Sequence, residues 1–580
     1  VQSDVAPLGK LRGKVLVLGS DTRSFLAVIR SLGRAGLTVH TAWAHPQSLA
    51  LRSRYISANH QLAEPTADFS EWGSGLVRLF QAENYSLVIP TNDQSIIPLQ
   101  LNRIELSKSA PLYLVDDEVY EISRDKIRSC ELANSLGLPL PKFAVVSSEA
   151  ELEQVAVTFQ FPLVVKPRSS FTEKDLHAKN HVWKARDLAS FMARARGALP
   201  SGSLLVQEHF SGVGVGVEVL AQAGEVLYAF QHRRLHEPLH GGGSTYRCSE
   251  ALNAELLEGT RQLVRALNYT GIGMFEFRVN QTSKQWIFVE INSRFWGSLP
   301  LAIAAGADFP RFLFEMLVLG RRNFPAEYSI PLFARNLVSD LRYVWSNLTA
   351  SKSDELLNTT QNVVVLKELF NVVTLRERWD TLTLDDPSPG LAELIWYAKK
   401  ILLRTKRFVR SCLLSLPPVR RHLQSRIKQR FLAAREVLFV CKGNICRSPF
   451  AEQLARSRYS VGFPPAVKFR SAALLSSEGR PSPETALQSA ELFGVSLTAH
   501  RSVTVTPEMV ANAELIFVFD EQNLTELSDQ FPDARARIFF LGLLGQGHAI
   551  EIADPFGGGA EDFAAAYGKI SNLINLLPPR

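Results

Sequence analysis

Two rhythms of apolar and polar positions alternate along the chain. Short continuous apolar runs mark buried strands, and apolar residues every three or four positions mark helices. Lys14-Val15-Leu16-Val17-Leu18, followed by Gly19-Ser20-Asp21, reads as a strand ending in a glycine turn. Leu26, Ile29 and Leu32 then repeat at helical spacing between Ser24 and Ala35, and Leu37 to Trp43 is a second strand. This β-α-β opening predicts a doubly wound sheet. A later strand, Ser86 to Ile89, leads into Pro90-Thr91-Asn92-Asp93, polar residues at the end where open α/β sheets place ligands.

The rhythm changes near Asp117. Arg124-Asp125-Lys126 opens a helix that Pro139 to Pro141 closes, Phe161 to Pro167 is a strand carrying Lys166, and Leu204 to Glu208 is another. Gly273 to Val279 and Gln285 to Arg294 read as two strands joined by a turn at Asn280 to Lys284. Alternation puts Glu290 and Asn292 on one face and Phe275, Phe277, Val289 and Ile291 on another; Glu276 comes opposite Glu290 if the register allows. Two carboxylates and an amide oxygen are hard ligands of the kind that hold Mg²⁺ beside a nucleoside triphosphate. Arg294, two residues on, can reach a transferring phosphate.

These residues resemble the ATP-grasp superfamily over roughly Val15 to Gly320, and in detail the carboxylate-amine ligases similar to carbamoyl-phosphate synthetase and biotin carboxylase. The resemblance implies that Lys126 and Lys166 bind ATP phosphates, that Gln207 and Glu208 lie at the adenine hinge, and that Glu276, Glu290 and Asn292 ligate Mg²⁺, with Mn²⁺ as a substitute. It implies a reaction in which ATP phosphorylates a small-molecule carboxylate and an amine displaces the acyl phosphate. The loop after Lys166, Arg168-Ser169-Ser170-Phe171-Thr172, lacks the glycines that usually cover the triphosphate. Gly212-Val213-Gly214-Val215-Gly216 stands where many relatives carry an acid for the ribose, which leaves Glu218 as the candidate. His240-Gly241-Gly242-Gly243-Ser244 is a flexible turn that either faces the acyl phosphate or is an ordinary loop. An alternative keeps this half as a non-catalytic nucleotide sensor that regulates the rest of the chain.

In the C-terminal quarter, the strand Val437 to Val440 runs into Cys441-Lys442-Gly443-Asn444-Ile445-Cys446-Arg447-Ser448-Pro449. Pro449 opens a helix with Phe450, Ala451, Leu454 and Ala455 on one side. The spacing from Cys441 to Arg447 lets the backbone curl with its N–H groups inward while the arginine fork closes the ring, making a cradle for a phosphate-sized dianion. The same groups stabilise negative charge on sulfur, so Cys441 is expected to be a thiolate nucleophile. Gly443 and Asn444 tolerate the positive φ that such a curl demands.

This loop resembles that of the low-molecular-weight protein tyrosine phosphatases, and the likeness continues through Ser471-Ala472, Ala499-His500-Arg501-Ser502, Leu515 to Asp520 and Asp554-Pro555-Phe556-Gly557. It implies that Cys441 attacks phosphorus, Arg447 clamps the equatorial oxygens and Ser448 hydrogen-bonds the sulfur, with Asn444 in the loop that shapes the site. Asp554 first protonates the leaving oxygen and then takes a proton from water. Leu474-Leu475-Ser476-Ser477 replaces the aromatic wall of many members, and Asp-Pro-Phe replaces Asp-Pro-Tyr. The substrate is thus a phosphoprotein or another phosphomonoester, with a phosphotyrosine preference left open. No cysteine follows Cys446, which favours hydrolysis over arsenate reduction. Cys446 itself either caps an oxidised Cys441 or fills space under the loop.

Charge adds one feature. Leu391 to Arg435 holds twelve Lys or Arg residues against one acid, Glu393, so the formal charge of +7 is localised and the remainder is mildly acidic. Within it Leu394, Ala398, Ile401, Leu402, Phe408, Val409 and Leu413 follow helical spacing, with Lys399, Lys400, Arg404, Lys406, Arg407 and Arg410 between them. Such a helix either lies on an anionic membrane surface or docks its apolar face on the ligase part. Nucleic acid is not an expected partner, because aromatic residues are not interleaved as stacking platforms. Five scattered cysteines are not a disulfide framework and point to a reducing, cytoplasmic compartment, with a membrane-peripheral position as the variant. No signal-peptide pattern is read, and no apolar run approaches the ~18 residues of a membrane span.

The expectation is therefore an α/β multidomain bifunctional enzyme. Its parts are a Rossmann-like pre-ATP-grasp domain over 1–115, an ATP-grasp domain over 116–325, a basic helical connector over 326–434, and a doubly wound phosphatase domain over 435–580.

Overall fold

The computed structural model describes residues 9–579 except 20–22, 44, 66–68, 70, 174–175, 177–178, 375, 460–466, 477 and 547–549. Ser20 and Asp21 of the first expected turn, and Ser477 of the loop that replaces the aromatic wall, lie outside the described residues. The chain divides into two units, the first ending at Tyr397 and the second beginning at Ala398.

The first unit opens with parallel strands β1 (Lys14–Leu18), β2 (Thr38–Ala42), β3 (Ile56–His60) and β4 (Leu87–Pro90), ordered β3-β2-β1-β4. Alternation along β1 sends Val15 and Val17 into one core, with Phe25 and Ile29 of the helix Ser24–Arg34, and Leu16 and Leu18 into another, with Trp72 and Phe80. A strand buried on both faces must be apolar throughout, which is why its run is continuous. At the C-terminal end of β4, Asn92 caps the helix Asp93–Leu101 and fixes Asp93 in its first turn.

Two further sheets follow. Strands β5 (Phe143–Val146), β6 (Leu163–Pro167), β7 (Trp183–Ala185) and β8 (Leu204–Glu208) form an antiparallel sheet ordered β5-β8-β6-β7. The other sheet contains β9 (Val213–Gln222), β10 (Glu225–His236), β11 (Tyr246–Glu250), β12 (Gly271–Val279), β13 (Trp286–Asn292), β14 (Phe333–Arg335) and β15 (Arg378–Trp379), ordered β13-β12-β9-β10-β11-β14-β15.

The expected hairpin is β12–β13, and its register places Glu276 opposite Glu290. One expectation fails there. A bulge between the Glu276–Glu290 and Phe277–Phe288 pairs leaves Val289 without a cross-strand partner, so it lines the cleft while Phe275, Phe277 and Ile291 enter the core.

Between β15 and the helix Ser388–Ser415, the Asp385-Asp386-Pro387 stretch forms a clasp through the buried Asp386. Asp386 accepts from Arg30 Nε at 2.9 Å, Ser53 Oγ at 2.7 Å and the Arg54 backbone N–H at 2.9 Å, while Arg30 Nη2 donates to Thr381 O at 2.9 Å. Burying both charges is tolerable only because each is paired and hydrogen-bonded.

In the second unit, parallel strands β16 (Glu436–Cys441), β17 (Lys468–Ala473), β18 (Leu515–Val518) and β19 (Ile538–Phe540) are ordered β17-β16-β18-β19. Every residue of β16 is buried, and the strand delivers Cys441 at its C-terminal end. The helix Pro417–Ala433 packs on this domain through Ile427 and Phe431, one turn apart. Arg420 and Gln424 on the same helix donate to the carbonyls of Gly542, Leu543, Leu544 and Gly545. The preceding helix, Ser388–Ser415, is exposed over residues 401–410, apolar positions included. Among the described residues no helix is long and apolar enough to cross a membrane.

Two candidate active sites

The first unit contains a cleft of about 560 Å³ lined from all three of its sheets, by Asp93 beyond β4, Lys166 on β6, Gln207 on β8, Glu276 on β12 and Glu290 on β13. Asn292 Nδ2 donates to Glu276 Oε1 at 3.0 Å and Glu290 Oε1 at 3.4 Å, so the three expected metal ligands do meet. Lys126 Nζ lies 3.6 Å from Glu290 Oε2 and donates to Ser170 Oγ at 3.1 Å. Lys166 Nζ donates to the carbonyl of the bulged Val289 at 3.4 Å. Arg294 Nε reaches both oxygens of Asp93 at 3.0 Å.

Electrostatics separates the two glutamates. Burial pushes Glu290 up, but Lys126, Lys166 and Arg294 outweigh it and bring the carboxyl down to about 2. Burial raises Glu276, and repulsion from Glu290 adds to it against the opposing pull of Arg234. Burial lowers the Lys166 ammonium, against the attraction of Glu290. A pocket with these opposed shifts is organised around charge. Its donors are two carboxylates and an amide, a set that fits a hard divalent cation if the amide turns its oxygen inward.

Gln207 and Glu208 both line the cleft. Gln207 Nε2 points at Cys130 Sγ, 3.7 Å away, and Glu208 Oε1 accepts the Gln160 backbone N–H at 3.0 Å. His240 to Ser244 also line the cleft. Glu218, the ribose candidate, is fully buried with its carboxylate 2.5 Å from His232 Nδ1, and it does not line the cleft.

Sequence reasoning missed Arg234, whose Nη2 lies 2.7 Å from Glu276 Oε2 and whose Nη1 lies 3.1 Å from Glu237 Oε1. The signal was the Gly-Val-Gly-Val-Gly run. A Cβ at Gly214 would sit 2.7 Å from Arg234 Cδ, and one at Gly216 would sit 2.5 Å from His232 Cε1. Alternate glycines therefore bare one face of β9 so that Arg234 can lie across it.

In the second unit, the chain leaves β16 at Cys441 and turns through Asn444, whose φ of 51° is left-handed as expected. The Asn444 backbone N–H donates to Cys441 Sγ at 3.3 Å, and Cys441 Sγ and Ser448 Oγ are 3.0 Å apart. The Asn444 side chain fixes this geometry: Nδ2 donates to Ser448 Oγ at 2.9 Å and Ser471 Oγ at 2.8 Å, while Oδ1 accepts the Val503 N–H at 2.9 Å. His500 Nε2 holds the Asn444 carbonyl at 2.7 Å, and Ser471 Oγ donates a hydrogen bond to Glu452 Oε2 at 2.5 Å.

Arg447 is 1% exposed and begins the helix Arg447–Tyr459. Its Nη1 donates to Asp520 Oδ2 at 2.6 Å and Ile552 O at 2.9 Å, and its Nη2 donates to Asp554 Oδ2 at 2.7 Å. The structure thus brings Cys441, Asn444, Ser448, Arg447 and Asp554 into one constellation. Asp520 is the residue missed; it stands just beyond β18, beside the Cys441 strand, where parallel sheets collect function. Burial, with the charges of Cys441 and Asp554, pushes the Cys446 thiol up to about 12, so Cys446 stays protonated beneath the loop.

The family model for low-molecular-weight phosphotyrosine protein phosphatase matches residues 436–577. A model described as ATP-grasp in the biosynthetic pathway with Ter operon matches residues 201–333. The low-molecular-weight protein-tyrosine-phosphatase Etp of Escherichia coli K12 is 32% identical over 139 residues, 24% of this chain and 89% of that protein. A protein-arginine-phosphatase of Geobacillus stearothermophilus is 32% identical over 141 residues, 24% of this chain and 92% of that protein. Among solved structures, the biotin carboxylase domain of Hydrogenobacter thermophilus 2-oxoglutarate carboxylase is 16% identical at a TM-score of 0.45, covering 54% of this chain and 71% of that one.

Proposed function

Because the chain belongs, through residues 436–577, to the low-molecular-weight phosphotyrosine protein phosphatase family, we propose that it is a bifunctional enzyme: a phosphomonoester hydrolase working through a phosphocysteine, joined to an ATP-dependent ligase. The observation that carries the first activity is the meeting of a sulfur, an inward backbone N–H and a buried guanidinium within one turn of chain. Cys441 Sγ attacks phosphorus, the S–P bond forms as the P–O bond breaks, and Asp554 gives its proton to the leaving oxygen. Water then attacks phosphorus, Asp554 takes its proton, and the S–P bond breaks to free phosphate and sulfur. Ser448 donates to the sulfur as it leaves. Arg447 exchanges Asp554 for phosphate oxygens, and Asp520 keeps the fork oriented while it does so.

Both a tyrosine and an arginine phosphatase stand among the relatives at 32% identity. The aliphatic pair Leu474-Leu475 beside the loop supports a substrate that is not held by aromatic stacking. Comparing hydrolysis of phosphotyrosine peptides, in which the P–O bond breaks, with that of phosphoarginine peptides, in which a P–N bond would break and Asp554 would protonate nitrogen, decides the class; turnover of neither removes the phosphoprotein reading.

For the first unit, support comes from Glu276 lying opposite Glu290 with Lys126, Lys166 and Arg294 facing them. Glu276, Glu290 and Asn292 would hold Mg²⁺, or Mn²⁺ in its place, which when bound supplies positive charge to the phosphate oxygens of ATP. Lys126, Lys166 and Arg294 carry the remaining positive charge, and Gln207 and Glu208 border the base. A substrate carboxylate takes the γ-phosphoryl group, ADP leaves, and an amine displaces phosphate from the acyl carbon. ADP release that requires both a carboxylate and an amine supports this; nucleotide binding without turnover favours the sensor alternative.

The exposed helix Ser388–Ser415 adds a proposed partner. Phe408 is 70% and Leu402 54% exposed, with Lys399, Lys406 and Arg410 along the flank, a combination suited to anionic lipid headgroups. The full chain should pellet with phosphatidylserine vesicles and not with neutral ones; failure to pellet with either contradicts the assignment.

A further inference from the structure

Away from both sites, two side chains of the first sheet and one from the helix before β4 converge on one point. His40 is on β2, His60 ends β3, and Glu83 is the last residue of the helix Glu71–Glu83, two positions before Tyr85. His40 Nδ1 lies 3.1 Å from His60 Nε2, 3.0 Å from Tyr85 Oη and 3.8 Å from Glu83 Oε2. Tyr85 Oη lies 3.5 Å from His60 Nε2. One ligand atom from each of His40, His60 and Glu83 falls within 4.8 Å of the other two.

Hydrogen bonding alone does not account for this crowd. A neutral imidazole nitrogen offers either one lone pair or one N–H, so Nδ1 of His40 serves His60 Nε2 or Tyr85 Oη, not both, and Glu83 Oε2 at 3.8 Å lies beyond its hydrogen-bond reach. A shared cation uses all of these lone pairs at once. Four ligand atoms around a tetrahedral zinc ion, with bonds of about 2.0–2.2 Å, stand about 3.3–3.6 Å apart. Four of the six separations, His40–Tyr85 at 3.0 Å, His40–His60 at 3.1 Å, Tyr85–His60 at 3.5 Å and His40–Glu83 at 3.8 Å, scatter about that range. Lys14 Nζ donates to Glu83 Oε2 at 2.7 Å, the kind of outer partner that orients a ligating carboxylate.

We propose that His40, His60 and Glu83, with the Tyr85 hydroxyl at the fourth corner, form a zinc-class divalent metal site that ties β3 and the segment before β4 to β2. β3 is the edge of its sheet, so a metal clip there holds the strand with one side unpaired. The site differs in chemistry from the cleft: imidazole nitrogens select zinc-like ions, whereas the carboxylates and amide of the cleft suit magnesium.

The test uses the full chain carrying Cys441→Ser and Cys446→Ser, so that thiols of the phosphatase loop do not contribute, stripped with chelator and dialysed against Zn²⁺ in excess Mg²⁺. His60→Gln, on a partly exposed residue, should remove one bound zinc equivalent, and Lys14→Met should keep the equivalent but weaken it about tenfold. Unchanged zinc stoichiometry and affinity in His60→Gln would overturn the proposal. Should that variant misfold, the unsubstituted site answers by itself: Co²⁺ uptake should give the intense visible bands of a four-coordinate nitrogen and oxygen site, and their absence overturns it.

Discussion

Arg447 and Asp554 are joined by an ion pair of 2.7 Å, although 107 residues separate them. The pair sets the proposed general acid beside the guanidinium proposed to hold the phosphate. Asp520 sits on the other branch of the same fork at 2.6 Å, so Arg447 is held from two sides before any substrate arrives.

Asp554→Asn removes the proton donor and leaves the sulfur and cradle intact. Hydrolysis of a phosphate ester with a poor leaving group should fall about 10²- to 10⁴-fold. With p-nitrophenyl phosphate, whose leaving oxygen hardly needs a proton, the loss should be much smaller. Rates measured across a series of phenols check this; equal losses for every leaving group would contradict the acid role.

Asp520→Asn keeps the shape of the Arg447 support and removes its charge. The expected outcome is a drop in kcat of about tenfold, near 1.4 kcal/mol, with Asp520→Glu restoring part of it. A rise in KM alone would mean that Asp520 serves only binding.

Gly214→Ala tests the bared face of β9. The added methyl group meets Arg234 Cδ and Glu237 Oε1 at 2.7 Å, so these side chains must shift, which is expected to disturb the contact of Arg234 with Glu276. Overpacking of this kind costs about 1–3 kcal/mol. Thermal denaturation should show that loss together with weaker nucleotide binding; loss of stability with unchanged binding would separate Arg234 from the cleft.

His236 gives a pH dependence with a definite sign. The ring bonds Asp340 through Nδ1 and Glu368 through Nε2, both at 2.8 Å, and stacks on Tyr343 at 4.3 Å. Arg335 and Thr245 also hold Asp340. Burial lowers the imidazole, but the bonds to Asp340 and Glu368 outweigh it, and the folded value lies above the ordinary one. The stability this provides is complete below the unfolded value, about 6.5, and is lost as pH rises through the folded value. His236→Gln should therefore cost about 3 kcal/mol at acid pH and progressively less in alkali. A gap measured by denaturant titration that stays constant or widens with pH would contradict this.

Local pattern carried the elements a long way. Continuous apolar runs identified β1 and β16 because both are buried on two faces, and alternation put Glu290 and Asn292 together because side chains on a strand repeat every two residues. The phosphate loop was legible because its chemistry is compressed between Cys441 and Ser448. What stayed hidden depends on contacts far apart in sequence. Asp93 meets Arg294 from 201 residues away, and Asp386 meets Arg30 from 356 residues away. The bulge at Val289 breaks the strand period without any glycine or proline to announce it. Asp385-Asp386-Pro387 has the composition of a linker, and only the fold supplies the arginine that makes it a clasp.

The central claim is that Cys441 carries the phosphoryl group and works independently of the ATP site. It is tested most directly by mixing the full chain with a ³²P-labelled phosphoprotein, quenching in acid and mapping the labelled peptide, while ATP turnover is followed in parallel. The account predicts label on Cys441, none in Cys441→Ser, and unchanged ADP release in that variant. Label on another residue, or hydrolysis that survives Cys441→Ser, would contradict it.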